Sequence, residues 1–477
     1  MIRGPRAKGV FGSGFQLFSE SLLTVGVVLF AAPFIALLFY SSMNSDDFAK
    51  AALAFFSVRQ PGVLHITWLY YAYSSGRWLT TILQSFVMSK VNMITYYGWL
   101  LLVIMLSNIA ALAYFFVSFL RVSRARALLA AGLFYAVWLS NAATPIEGVF
   151  WLTEAFEYQV SLTAILILAG LLCKQKQTLW SYLGIAALAI CIPGLHELAG
   201  VFVCVCLVAG VIALQLQKLG GRQWWLALGL ATLSLAAVML CPGKALEFAT
   251  GHNTPWTFGH VFFYAKRTTQ HGIDWILNPA VLLYGFCTSF LLRPRDDLSE
   301  GREFAPPRWL ALVGLVVMTV LLAEFAGSEM ASGYGAFPPR TVGWFQFIFW
   351  LLMVCVMHTG LPEITRVRLS PVSQTALSML LVVSLLGSGN FHLAVTDWRG
   401  PARPYLESSV ARLRERGDSL QFGPLPRRPA LFRQSFLSAS DPKCWVNEVM
   451  ALYLGAKSVV VTDPNEDWTC PEGETGP

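Results

Sequence analysis

About eleven apolar stretches, most of them long enough to cross the ~30 Å hydrocarbon core of a bilayer, run along this chain, and the loops between them alternate in charge. This pattern limits the chain to one class of structure. With no water in the bilayer core to satisfy backbone N–H and C=O groups, runs of this length must close their own hydrogen bonds as helices. The stretches lie near 22–40, 96–119, 127–140, 159–173, 179–192, 198–216, 224–241, 276–292, 309–325, 341–358 and 372–386. Those at 127–140 and 179–192 are short for a full crossing and point to extension into polar flanks, or to tilted or broken segments. Hydrophobic residues make up 56% and charged residues only 13%, which excludes a soluble protein of this length.

Basic residues occupy every second loop: Arg3, Arg6 and Lys8, then Arg121, Arg124 and Arg126, then Lys174 and Lys176, then Lys218 and Arg222, then Arg293, Arg295, Arg302 and Arg308, and finally Arg366 and Arg368. The positive-inside rule assigns that side to the cytoplasm, together with the N-terminus. An odd number of crossings then leaves the C-terminus outside. Most of the net charge of +7 sits in these loops, where it sets orientation, so a lipid bilayer is the expected partner and nucleic acid is not. The first stretch is too long for a signal-peptide core and lacks a small-residue cleavage site, which predicts an uncleaved first span.

The opposite side collects Asp46, Asp47, Glu147, Glu154, Glu157, Glu197, Glu247, Asp274 and Glu329, and we expect the working face there. Two regions on it exceed simple turns. In the first, 41–95, apolar residues at helical spacing over 48–56 and 78–86 predict amphipathic helices lying in the interface. The second is the polar tail, where 399–416 reads as a helix and 444–461 as a helix followed by a short strand. The expected fold is therefore an all-α polytopic membrane domain over 1–388, with interfacial helices, and a small α/β extracytoplasmic appendage over 389–477. Seven of the nine cysteines lie within or at the ends of apolar stretches, where cysteine acts as a small hydrophobe. Cys444 and Cys470 alone lie in the tail, and a disulfide between them fits an exported location.

Candidate chemistry gathers on the acidic side. Asp46 and Asp47 directly follow the first span; a carboxylate there can take a proton from an acceptor hydroxyl while its neighbour raises its pKa or holds the acceptor. The same Ser45-Asp46-Asp47 run also suits the N-cap and first turn of an interfacial helix. Glu154 and Glu157 share one helical face, either for sugar hydroxyls or for water, with no cation in their own loop. His196-Glu197 follows the helix-breaking Pro193-Gly194 and fits phosphate orientation or proton transfer as well as a solvated hairpin. Cations outside the membrane are sparse: Arg77, Lys244, Lys266, Arg267 and Arg340 can converge on an anionic phosphate headgroup or contact lipid singly. No phosphate-binding glycine loop, His-Glu-x-x-His, Gly-x-Ser-x-Gly or dinucleotide fingerprint occurs. No cofactor is called for with certainty; a divalent cation is admitted, but no ligand set is visible.

With these residues in place, the layout resembles the GT-C superfamily of integral-membrane glycosyltransferases. Within it, the chain is most similar to bacterial multi-pass proteins related to O-antigen-modifying glucosyltransferases. The likeness rests on Asn44-Ser45-Asp46-Asp47-Phe48, Phe150-Trp151-Leu152-Thr153-Glu154, His196-Glu197, Pro242-Gly243-Lys244, Pro339-Arg340 and the 445–460 segment. The resemblance implies inverting transfer from a polyprenyl-phosphate-linked sugar donor to a glycan or lipid-linked acceptor, outside the bacterial inner membrane. It implies Asp46 as general base, with Asp47 as its neighbour or as the acceptor-positioning group. Lys244 and Arg340 lead the donor-phosphate contacts, supported by Arg77, Lys266 and Arg267, while Glu154, Glu157, His196 and Glu197 line the pocket. A transporter or flippase of lipid-linked saccharides is the alternative, though carboxylates at span ends rather than at the midplane favour the enzyme.

Overall fold

The computed structural model describes residues 10–43, 47, 50–51, 63–73, 75–142, 146–174, 177–218, 220–244, 258–292, 339–360, 369–415, 417–423, 426, 429–431 and 444–461. These residues are mostly helical, and helices occupy ten of the eleven apolar stretches; the stretch at 309–325 lies outside the described residues. Five helices are long and apolar enough to cross a membrane: Gln16–Leu38, Thr95–Leu120, Leu152–Leu172, Glu197–Leu216 and Thr341–His358. Two bent pairs raise the number to seven if each is one span: Lys266–Ile276 with Pro279–Leu291, bent by 49°, and Pro371–Leu386 with Gly389–Arg399, bent by 51°. Among the described residues, length and composition thus support fewer crossings than the eleven expected. Of the four stretches not among these seven, 309–325 lies outside the described residues, the Arg124–Asn141 helix begins on two arginines and ends on Ser140-Asn141, Leu179–Leu195 is a shorter apolar helix, and Arg222–Met239 opens on Arg222-Gln223.

The first helix, Val10–Leu38, is apolar all round, yet its faces differ in use. Leu23, Phe30, Phe34 and Leu37 are buried, whereas Val25, Val28 and Leu29 are exposed. The buried face packs on Pro371–Leu386, so closely that a Cβ on Gly26 would lie 2.4 Å from a Val382 methyl. Arg124–Asn141 is the central post of the bundle, with every residue from Leu133 to Ser140 buried. Three other helices, counting the N-cap Asn278 with Pro279–Leu291, hydrogen-bond to it. Tyr284 donates its hydroxyl to the Ala130 carbonyl at 3.0 Å, Trp138 donates its indole N–H to the Gly343 carbonyl at 2.9 Å, Asn390 donates to the Leu139 and Ala142 carbonyls, and Asn278 donates to the Asn141 side chain at 2.8 Å. Carbonyls at a buried helix end need such partners.

Leu179–Leu195, Glu197–Leu216 and Arg222–Met239 pack together as a second group. The expected break at Pro193-Gly194 falls two residues later. The helix continues through Pro193 to Leu195 and stops at His196, which is extended (φ −158°, ψ 128°), before Glu197 starts the next helix. A proline inside a membrane helix is tolerated where neighbours satisfy the backbone group it frees.

In the tail, Gly389–Arg399 still packs against the first helix, with Phe391 stacked 5.8 Å from Phe30. The Ala402–Arg414 helix follows, then strand β1 (Ser419–Phe422), the Trp445–Leu454 helix and strand β2 (Ser458–Val461). The strands pair in parallel, Ser419 with Ser458 through Phe422 with Val461, as a crossover helix allows. Gly455, at φ +71°, ends that helix in the left-handed conformation where a side chain is disfavoured. Cys444 is disulfide-bonded; Cys470, its expected partner, lies outside the described residues.

Candidate functional site

A polar cluster forms where the segment between the first helix and Met93–Leu120 meets the ends of three long apolar helices. Asp46 lies outside the described residues. Asp47 is fully buried, and both its oxygens are engaged. Oδ2 accepts from the Tyr97 hydroxyl at 2.8 Å, while Oδ1 accepts from the Thr153 backbone N–H at 3.0 Å and the Thr153 hydroxyl at 2.6 Å. Tyr97 also accepts from the Leu152 N–H at 3.0 Å. Asp47 therefore anchors the start of the 152–172 span to the loop that carries Asp46. Charge-assisted hydrogen bonds of this kind are short and directional.

The segment before and around Thr153 has irregular backbone. Ile146–Phe150 and Ala155–Gln159 are π-helical turns on either side of the short helix Leu152–Glu154, and Trp151 between them is extended. A π-turn accommodates one extra residue and loosens the carbonyl ladder, and such turns concentrate at functional sites. Asn108 donates to both the Gln159 carbonyl at 3.0 Å and its side-chain oxygen at 2.9 Å, meeting the polar demand inside an apolar span. Glu154 and Glu157 are 5% and 9% exposed, so neither faces water. Their own loop holds no cation, but Arg77, at the start of the Trp78–Lys90 helix, reaches Glu157.

Arg77 is the hub of the cluster. Its Nη1 donates to Glu157, while Nε and Nη2 form a two-pronged bond to Glu197 at 2.6 and 2.9 Å. Lys244 adds a contact to Glu197 at 3.2 Å. Burial alone would lower the Arg77 pKa, yet the Glu197 and Glu157 carboxylates outweigh it and hold the guanidinium well above its usual value. Arg77 and Lys244, both expected from the sequence as donor-phosphate contacts, lie against the Glu197 carboxylate.

The helix Trp78–Lys90 holds Arg77 in place. The 78–86 amphipathic helix is present, but its buried face is the polar one: Thr80, Thr81, Gln84 and Ser85 are buried and Phe86 is exposed. Thr80 donates to the Leu195 carbonyl at 2.7 Å, and Gln84 to the Thr153 carbonyl at 3.0 Å. Two glycines permit the approach. A Cβ on Gly76 would lie 2.3 Å from the Val238 carbonyl oxygen, and one on Gly194 would lie 2.5 Å from the Trp78 indole.

His196 is 1% exposed, which removes the solvated-hairpin reading. Its ring lies 4.6 Å from Tyr158 and 6.2 Å from Trp344. Tyr158 shares a hydrogen bond with Thr341 at 3.0 Å, and Arg340 immediately precedes Thr341 in the first turn of Pro339–Gly360. The Arg340 side chain is outside the described residues. Lys266 and Arg267 lie on a different helix, Phe258–Ile276, with Lys266 exposed and Arg267 half-buried. No group of three or more His, Cys, Asp or Glu suited to a metal ion occurs among the described residues.

Tyr97, Thr153, Gln84 and Tyr158 escaped the sequence reading. A signal for Gln84 existed in the Thr80/Gln84 and Thr81/Ser85 pairs, spaced four apart on one face of an apolar helix. Comparison of the chain with protein-family models and with curated proteins finds no match in either.

Proposed function

We propose that this chain is an integral-membrane glycosyltransferase of GT-C type, with about eleven spans and its working face outside the bacterial inner membrane. It transfers a sugar from a polyprenyl-phosphate donor to a glycan or lipid-linked acceptor, with inversion. The reading is carried by one observation: a buried acid, Asp47, with both oxygens engaged, ties the loop bearing Asp46 to an irregular segment bearing Glu154 and Glu157. Because Asp47 is occupied as an anchor, the adjoining Asp46 takes the role of general base. The acceptor hydroxyl attacks the anomeric carbon and its proton passes to Asp46. The bond from that carbon to the phosphate oxygen breaks, and the electron pair leaves with polyprenyl phosphate. Lys244 and Arg340 stabilise the phosphate, whose charge is present before and after transfer.

The test is sugar transfer from a polyprenyl-phosphate donor in nanodiscs. Asp46→Asn should lower turnover by about two or more orders of magnitude with donor binding retained, the signature of a lost general base. Wild-type turnover in that variant refutes the assignment. Donor translocation without transfer by the unmodified protein would establish the flippase alternative instead.

A further inference from the structure

Resting on that reading, we infer that Arg77 is a positioning residue for the donor phosphate rather than one of its ligands: it fixes Glu197, and Glu197 fixes Lys244. Three N–H groups of the guanidinium are committed to carboxylates, two of them to the two oxygens of Glu197. Glu197 Oε1 is shared, accepting from Arg77 Nη2 at 2.9 Å while lying 3.2 Å from Lys244 Nζ. The planar fork of an arginine sets the orientation of a carboxylate in a way that a lysine point charge does not. Glu197 opens its helix immediately after the extended His196. The direction of the Lys244 ammonium therefore depends on Arg77, although the two cations do not pair with each other.

Arg77 is also the cation that meets both Glu157 and Glu197. Without it, the two carboxylates lose that charge, and the added negative charge opposes an incoming phosphate. This electrostatic part separates a positioning residue from a direct ligand. Neutralising Glu157 removes that added charge without returning any donor to the phosphate.

The experiment measures donor KM and kcat, together with direct binding of a polyprenyl monophosphate in nanodiscs, for Arg77→Ala, Arg77→Lys and the double variant Arg77→Ala/Glu157→Gln. Arg77→Ala should weaken binding by about tenfold or more with kcat changed by less than about threefold. The double variant should recover the electrostatic part of that loss and bind about as well as Arg77→Lys, because both lack the fork. Arg77→Lys keeps the charge but loses the fork, and should bind clearly more weakly than the unmodified protein; it serves as the readout if Arg77→Ala does not fold. A double variant as weak as Arg77→Ala, or an Arg77→Lys variant with full affinity, shows that Arg77 meets the phosphate itself and overturns the inference. Failure of the unmodified protein to bind the polyprenyl monophosphate at all would instead remove the glycosyltransferase reading.

Discussion

Replacing Tyr97 by phenylalanine removes one oxygen atom and two hydrogen bonds, leaving the ring volume unchanged. That oxygen donates to Asp47 at 2.8 Å and accepts from the Leu152 N–H at 3.0 Å. In a soluble protein, a hydrogen bond to a charged group contributes about 1.5–3 kcal/mol, and an orphaned buried N–H costs about 1–3 kcal/mol. Inside membranes the measured contributions of interhelical bonds are smaller, averaging ~0.6 and reaching ~1.7 kcal/mol, because the unfolded reference state finds other partners. Tyr97 sits near the end of its span and its acceptor is a fully buried carboxylate, so the upper part of the membrane range applies to each bond. The expected loss is about 2–3 kcal/mol. Equilibrium unfolding in mixed micelles, followed by tryptophan fluorescence, measures it. Thr153→Ser is the companion variant: it keeps both bonds to Asp47 and loses one methyl group, at about 1 kcal/mol. If Tyr97→Phe lies within about 0.5 kcal/mol of the unmodified protein, the Tyr97 hydroxyl adds nothing to the fold, and the tie between Asp47 and the 152–172 helix rests on Thr153 alone.

Two further outcomes are expected. Gly76→Ala would set a methyl 2.3 Å from the Val238 carbonyl oxygen; it should cost about 1–3 kcal/mol in the same unfolding assay, whereas Gly229→Ala, with nothing within 4 Å, should be neutral or stabilising. Reporter fusions at Lys218 and Gly417 should report opposite sides of the membrane, the first cytoplasmic; a common side would overturn the orientation read from the basic loops.

The helices were legible because a bilayer imposes length and apolarity on any segment that enters it, and helices occupy ten of the eleven stretches that hydropathy marked, while Val63–Tyr73 and nearly all of Phe258–Ile276 were not foreseen. Their number as crossings was not legible to the same degree. Arg124–Asn141 carries its arginines and its Asn141 at the ends of an otherwise buried post, and nothing local separates a central helix from a spanning one. Within the site, the acidic residues were found one by one, since carboxylates stand out in so apolar a chain. Their partners were not, because the Arg77 pairs span 80 and 120 positions and no local spacing records them. The π-turn at Ala155–Gln159 was equally invisible: Glu154 and Glu157 fit an ordinary helical face in sequence, and the extra residue in the turn arises from tertiary demands on the backbone. In the tail, the helix and strand of 444–461 followed from alternation and spacing. Strand β1, of the same four-residue length as β2, lacks the Val459-Val460-Val461 run that marks the latter and was missed.

The wide sequence separation in the Arg77 cluster also sets an order in time. Ribosomes add roughly 5–20 residues per second, so the 120 positions between Arg77 and Glu197 correspond to about 6–24 s of synthesis. In the proposed orientation, Arg77 leaves the translocon as a lone cation, meets Glu157 first and Glu197 later, and Lys244 arrives last. Until that final segment emerges, the nascent chain holds an incomplete charge set at the membrane surface, where water and lipid headgroups must accommodate it. On the proposed reading the working face is thus completed late in biogenesis, after seven of the apolar stretches have been made, and a chain halted before Lys244 carries Glu197 without one of its two cations.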